Sequence, residues 1–419
     1  VGDRGVPGMI DPDTLHVWHE TRLVGYLWRD TLGRMSFRYE SDWLAHEGFP
    51  ISMSLPLQDS VFASDTAHQF FANLLPEGNA RAHIVRDLRV SDSDFDLLRE
   101  IGGECAGALS VLADDETPSL DNGYQPLPEA ELFQVVQRRG HLSRNGDQTT
   151  HPRLSLAGAQ DKVPVAKFGG KLHIPVGSSA STHILKFEIP GYKHVPAYET
   201  YLTWLARSVG MEAIEISFHQ IEAGSYTLST RYDRTQSNPV QRIHQEDFCQ
   251  AMGLRADQKY QQPGNDSGFA TCYKFLKKAS SVPLDDAKRL LEWQIFNVLA
   301  GNSDAHAKNL SFLYLPGGQI RLAPFYDLLC TRAVEGVDDR LAMDVGGESH
   351  PGLIRMHHWR ELAESCDARP QYVEKLVAGM AKKLRQSLAE VRARFEEQYG
   401  EYPALQRVDQ VIERQLQKL

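Results

Sequence analysis

Residues 301–309, GNSDAHAKN, crowd one Asp, one His, one Lys and two Asn into a stretch too polar for a core. Asp304 and Asn309 stand five positions apart, and a further acid, Asp327, closes the triplet Phe325-Tyr326-Asp327 downstream. Phosphoryl transfer calls for such groups: a carboxylate to accept a hydroxyl proton, and oxygen donors that hold magnesium on nucleotide phosphates. On that reading Asp304 is the base and Asn309 and Asp327 are the metal ligands. A local reading competes with it, because Asp and Asn after a helix commonly cap or turn the chain.

The elements that must position these residues decide between the two. LLEWQIFNVLA, residues 290–300, is apolar around most of a helix, with Leu291, Ile295 and Val298 at helical spacing, so it is expected to be buried and to end at Gly301. The polar cluster then emerges at the mouth of the core, and a hairpin turning at Pro316-Gly317-Gly318 separates it from Asp327. The interval from Asp304 to Asn309 equals that of a protein-kinase catalytic loop, whose metal-binding Asp also follows a short hairpin.

Upstream, LSLAGAQDK (154–162) places Ala157, Gly158 and Ala159 just before a hairpin, where backbone amides can approach phosphates. A single glycine serves a bulge or turn equally well. KVPVAKF and KLHIPV flank Gly169-Gly170, and THILKFEI follows as a third strand with Ile184, Lys186 and Glu188 on one face. Lys186 is thus either a phosphate partner on a rigid strand or part of a solvated face. Residues 197–209 read as a helix ending at Gly210. Its Glu199 is either the acid that pairs with that lysine or a surface residue. Strands are expected around 214–221 and 226–232, and beyond residue 240 nearly everything reads helical apart from the hairpin at 311–325.

Composition narrows the alternatives. Net charge is −10, which argues against a free-standing nucleic-acid binder, so any DNA contact needs a local patch or a basic partner. Hydrophobic residues at 42% and charged residues at 24% describe a globular chain, long enough for two or three domains. Cys105, Cys249, Cys272, Cys330 and Cys366 are scattered, without a C-x-x-C pair, and fit neither a disulfide frame nor a zinc site. No apolar run is long enough to span a membrane and no signal-peptide pattern opens the chain, so the expected location is the cytoplasm. The eight residues before Met9 are expected to be an expression remnant and are set aside from the fold.

LSLAGAQDK, THILKFEI, STRYDR, IHQEDFCQAMG, FNVLAGNSDAHAKNLSF, LAPFYDLL and FFANLLPEGNAR together resemble the HipA family of bacterial toxin kinases, over residues 70–329. The resemblance implies an α+β, protein-kinase-like fold of two lobes: an α/β nucleotide lobe and an all-helical C-terminal lobe, with an appended N-terminal sheet-and-helix subdomain. The expected divisions are 1–127, 128–240 and 241–419. It implies an ATP- and Mg2+-dependent serine/threonine protein kinase, the toxin of a type II toxin–antitoxin pair. Its expected partners are a HipB-like helix-turn-helix antitoxin, operator DNA contacted mainly through that antitoxin, and a protein substrate such as an aminoacyl-tRNA synthetase. Carried over by motif, Asp304 matches the base, Asn309 and Asp327 the magnesium ligands, and Lys186 the nucleotide-phosphate lysine. Ala157, Gly158, Ala159, Gln160, Asp161 and Lys162 match the phosphate loop, and Thr230, Arg231 and Tyr232 the hinge that meets adenine. His306, Ala307, Lys308 and Tyr326 match further nucleotide contacts, and Ser155 matches an autophosphorylated serine. Thr230 stands where some relatives carry an acid, which leaves the adenine contact to backbone groups.

Two other readings stand beside the kinase. One is a catalytically weak pseudokinase that serves mainly as an antitoxin-binding corepressor. The other, a metal phosphohydrolase built on the Asp and His cluster, lacks a second group of acids.

Overall fold

The computed structural model describes residues 13–46, 48–118, 123–140, 157–235, 237, 239–265 and 267–418. The residues before Met9 and Ser155 lie outside the described residues.

Alternation of buried and half-exposed side chains builds the first sheet. Strands β1 (Thr14–His19), β2 (Arg22–Arg29), β3 (Met35–Tyr39) and β4 (Leu109–Ala113) pair antiparallel in the order β3-β2-β1-β4. Leu15, Val17, Leu27, Met35 and Phe37 are fully buried beneath it. Between β3 and β4 run helices α1 (Ser41–Ala45), α2 (Ser64–Ala72), α3 (Gly78–Leu88) and α4 (Asp94–Ile101). Phe70 and Phe71 of α2 and Leu97 and Leu98 of α4 complete this core, with Phe71 5.4 Å from Phe37 between ring centres. Pro76 lies in the break between α2 and α3, and Gly78 opens α3 at φ 53°, a conformation glycine adopts freely.

A six-stranded sheet follows, formed by β5 (Gly123–Pro126), β6 (Lys162–Phe168), β7 (Lys171–Val176), β8 (His183–Phe187), β9 (Ile216–Ile221) and β10 (Gly224–Thr230). Its order is β5-β7-β6-β8-β10-β9. Helix α5 (Glu129–Gln137) covers one face through Val136 and α6 (Val195–Ser208) packs on the other side. The short strand β5 joins this sheet because Tyr124 and Gln125 find backbone partners along β7.

The third part is mostly helical: α7 (Phe248–Ala251), α8 (Phe269–Ala279), α9 (Pro283–Ala300), α10 (Met356–Ser365), α11 (Pro370–Tyr399) and α12 (Leu405–Leu416). It also carries a small sheet, β11 (His244–Asp247), β12 (Ser311–Leu315) and β13 (Gln319–Leu322), in the order β11-β12-β13. Residues 244–247 read as helix in the sequence, but the hairpin edge recruits them, so the expected all-helical lobe has a sheet at its front. Helix α9 lies at the centre. Leu290, Leu291, Trp293, Ile295, Phe296 and Val298 are buried, each contributing roughly 1.5–3 kcal/mol. Pro283 opens the helix and Gly301 closes it in the left-handed region at φ 77°. A Cβ at Gly301 would stand 2.5 Å from Val411 Cγ1 and 3.0 Å from Cys330 Sγ, so the start of the polar loop admits no side chain. All five cysteines are free and buried, and no described helix is long and apolar enough to cross a membrane.

Candidate active site

Lys186 sits in the middle of β8, flanked by β6 and β10 in register with Lys162 and Thr227. It is only 6% exposed, which removes the solvated-face reading. Its ammonium donates to Glu199 Oε1 at 2.6 Å and makes a second, very short ion pair with Asp327. Glu199 itself is buried on α6, so it is the acid that pairs with this lysine. Burial alone would push the lysine's pKa down, but the two carboxylates outweigh it and hold the ammonium charged. Asp327 shows the reverse balance: burial pushes its carboxyl up, and Lys186 and Lys162 hold it well below the usual range. Its backbone is in the left-handed region at φ 53°, a strained conformation for a residue other than glycine.

Asp304 is open to solvent on one side, yet the groups packed around it desolvate its carboxyl and push it up, while Tyr260 and Lys259 pull it back. Such a shift brings a carboxylate nearer to the range useful for a base. The Tyr260 hydroxyl donates to Asp304 Oδ1 at 3.0 Å. Asn309 is buried and its Nδ2 donates to the Asp304 carbonyl at 3.0 Å, which leaves its Oδ1 as a free acceptor for a cation. Asn302 joins the two acids. Its Oδ1 accepts from the Asp304 backbone N at 3.2 Å, and its Nδ2 donates to Asn297 Oδ1 at 2.9 Å and to the Asp327 carbonyl at 3.4 Å.

The phosphate-loop residues lie against the same lysines. Lys162 Nζ donates to the Ala157 carbonyl at 2.6 Å. Gly158 adopts φ 111°, and a Cβ there would come within 2.8 Å of Lys162 Nζ, so the close turn needs glycine. Gln160 donates to the Phe187 carbonyl at 2.7 Å, and Asp161 faces His83 of α3 at 3.4 Å. These two side chains anchor the loop. Ala159 lies alongside Gly78 at the start of α3.

Further residues fall into place less evenly. Tyr326 stacks on Tyr232 with ring centres 5.5 Å apart, and its hydroxyl donates to the Lys308 carbonyl at 2.8 Å. His306 is buried and its Nδ1 has no hydrogen-bond partner among the described residues, while burial drives its pKa down to about 3. Thr230 ends β10, with its backbone N bonded to the Glu215 carbonyl. Arg231 has only its backbone to offer at the hinge. Its guanidinium points into the protein, donating to both oxygens of Asp233, to Ser181 Oγ and to Glu104, so its side chain is committed to a buried ion network. Lys308 likewise turns away from a nucleotide: its ammonium lies 3.0 Å from Glu77 Oε1 and 2.7 Å from Asn73 Oδ1. Ala307 is buried beside it.

The sequence model of the HipA-like C-terminal domain matches residues 154–388, and that of the HipA N-terminal domain matches residues 15–112. The chain belongs to the HipA family. Over 386 residues it is 34% identical to a Sinorhizobium fredii protein named "Putative kinase Y4mE", covering 90% of this chain and 91% of that one. It is 29% identical over 392 residues to the serine/threonine-protein kinase toxin HipA of Shewanella oneidensis, covering 88% and 87%. A solved Shewanella oneidensis complex of HipA, HipB and operator DNA superposes with a TM-score of 0.81 at 26% identity, over 96% of this chain and 97% of that one. This HipA-family chain therefore has the α+β, kinase-like two-lobed fold.

Residues that sequence reasoning passed over complete the site: Asn302, Tyr260 and Glu77. Asn302 lies inside the polar cluster and Glu77 inside FFANLLPEGNAR, so both were visible as members of motifs without an assigned role. Tyr260 carries no local signal.

Proposed function

We propose that this chain is an ATP- and magnesium-dependent protein serine/threonine kinase and the toxin of a HipA–HipB-type pair. The observation that carries this reading is the meeting of Lys186, Glu199 and Asp327 beside a loop that ties Asp304 to Asn309. The donor set suits a magnesium nucleotide. Among the described residues no group of three His, Cys, Asp or Glu surrounds one point, whereas Asn309 and Asp327 offer two oxygen ligands and leave the remainder to phosphates and water. The orphaned His306 Nδ1 and the paired ammoniums of Lys162 and Lys186 fit the polyphosphate.

Bound ATP supplies the transferable phosphoryl group. Asp304 takes the proton from the substrate hydroxyl, Lys162 and Lys186 offset the phosphate charge, and Asn309 and Asp327 hold the cation. The stacked Tyr232 and Tyr326 form an aromatic wall at the hinge for the adenine. Gln261 and Gln262, which follow Tyr260 in the chain, line a cavity of about 570 Å³ together with the start of α8, Asp344, Gly346 and Gly347, and α10, and residues flanking the substrate serine are accommodated there. The protein substrate is a translation component such as an aminoacyl-tRNA synthetase, and the chain also phosphorylates itself at Ser155. A HipB-like antitoxin neutralises it and carries it to operator DNA, a division of labour that suits the acidic net charge of −10.

The test is phosphate transfer by the purified chain with labelled ATP and magnesium, with intact mass and peptide mapping at Ser155. Asp304→Gln is expected to abolish transfer while nucleotide binding persists. Binding without transfer in the unaltered chain supports the pseudokinase corepressor instead, and normal transfer by folded Asp304→Gln removes Asp304 from the role of base.

A further inference from the structure

Glu77, the N-cap of α3, touches three parts of the candidate active site from outside it. Its backbone N donates to the Gly158 carbonyl at 3.1 Å, and Pro76 and Gly158 form a parallel bridge, so the phosphate loop is docked on this turn as if on a strand edge. Glu77 Oε1 lies 3.0 Å from Lys308 Nζ, and Oε2 accepts from Lys259 Nζ at 2.8 Å.

Both lysines lead directly to the reacting groups. Lys308 immediately precedes Asn309 and is clamped further by the Asn73 side chain at 2.7 Å and the Asn73 carbonyl at 3.1 Å. The Lys259 carbonyl accepts from Ala307 N at 3.3 Å, and its ammonium lies 5.3 Å from the centre of the Tyr260 ring. Tyr260 in turn holds Asp304. One residue thereby reaches all three: its carboxylate holds the loop that carries the base and the residue before a metal ligand, and its backbone N holds the glycine of the phosphate loop.

The electrostatics make the clamp stiff. Lys308 and Lys259 side chains are 4% and 12% exposed around a carboxylate that is 21% exposed. Burial raises the Glu77 carboxyl, but the two ammoniums overcome this and hold it down at about 2. Removing the carboxylate takes from Lys259 its 2.8 Å partner and leaves Lys308 with Asp247, 3.7 Å away, as its remaining counter-charge. A contact serving only to join two units would work equally well anywhere along the interface. Ser52 and Ser54 already provide such contacts to Glu246 and Gln250.

We propose that Glu77 is a positioning residue for phosphoryl transfer, through which the N-terminal unit sets the phosphate loop and the catalytic loop in register. The proposal rests on the kinase reading above. Its test uses the full chain, comparing Glu77→Gln, Glu77→Asp and the interface control Ser54→Ala, with urea midpoints to establish that each folds. Glu77→Gln is expected to lower kcat by about 10–100-fold, as loss of an orienting partner typically does, with the KM for ATP changed by less than about threefold. Glu77→Asp recovers part of the rate and Ser54→Ala keeps it. A Glu77→Gln protein with wild-type kcat, or with a loss that only tracks its folded fraction, overturns the proposal.

Amide hydrogen exchange gives a readout that needs no catalysis. Glu77→Gln is expected to speed exchange in 157–162 and 304–309 while the rest of the chain is unchanged. Unchanged exchange in both segments overturns the proposal even if the chain transfers no phosphate, whereas faster exchange in an inactive chain faults the kinase reading alone.

Discussion

Lys162 and Lys186 stand directly opposite each other on β6 and β8, two ammoniums on neighbouring strands of one sheet. Like charges in that position repel, and the arrangement holds only because Asp327 and Glu199 are brought in from elsewhere. Burial and the Lys186 charge push Lys162 down to about 8, against the pull of Asp327, whereas Lys186, bonded to both acids, stays charged. One lysine is thus a permanent cation and the other titrates near neutrality.

Nucleotide affinity is therefore expected to fall as pH rises through 8, because Lys162 then loses the proton that attracts phosphate. Titration with magnesium-free ADP between pH 7 and 9.5 should show a loss of up to about 30-fold, one proton being linked to binding. Lys162→Arg, charged throughout, should bind with little pH dependence. A flat wild-type profile would count against Lys162 as a phosphate partner.

Lys186→Met leaves Glu199 buried and unpaired. Urea denaturation should show a loss of about 3–5 kcal/mol, the usual cost of breaking a buried pair from one side. The double variant Lys186→Met/Glu199→Leu should regain most of that stability and none of the activity. Additive losses in the double-mutant cycle would show that the two residues do not act as a pair.

Asn302 has a different signature, since it holds two backbones and is itself 2% exposed. Asn302→Ala is predicted to cost about 1–3 kcal/mol from unsatisfied polar groups and to lower kcat more than it raises the KM for ATP. An unchanged kcat would reduce the bridge between Asp304 and Asp327 to a packing detail.

A buried acid sets part of the pH dependence of stability. Glu246 is fully buried where the N-terminal unit meets β12, accepting from Ser52, Met53 N at 3.0 Å and Tyr314, and burial raises its carboxyl to about 7. The folded state holds this proton between the unfolded value of 4.5 and 7, so its contribution falls as pH rises through that window and is constant above it. Glu246→Gln should gain on the wild type across the window by at most about 3 kcal/mol. Chemical denaturation of both proteins at pH 4.5, 6 and 8 measures the difference, and an unchanging gap would mean that Glu246 ionises normally.

Local chemistry was legible in the linear chain wherever a feature depends on neighbours in sequence. The apolar periodicity of 290–300 announced a buried helix, Gly301 its end, and the spacing of Asp304, Asn309 and Asp327 a loop, a hairpin and an acid. Strand alternation put Lys186 on one face of β8 but said nothing about whether water would cover that face. Only the packing of α6 and the arrival of Asp327 buried it, and so turned Glu199 from a candidate into a partner.

The same limit explains what the linear chain left open. Arg231 lies in a motif shared with a hinge, yet its direction depends on Glu104 and Asp233, and Glu104 belongs to another part of the chain. Lys308 looked like a nucleotide contact until Asn73 and Glu77, more than 200 positions earlier, took its ammonium. Residues 244–247 became β11 because β12 offered an open edge. By itself the sequence determined which groups can accept protons, carry cations or turn the backbone, since those properties belong to each residue and its immediate neighbours. Tertiary structure alone decided which charges meet and which are buried, because pairing and desolvation depend on distance in space.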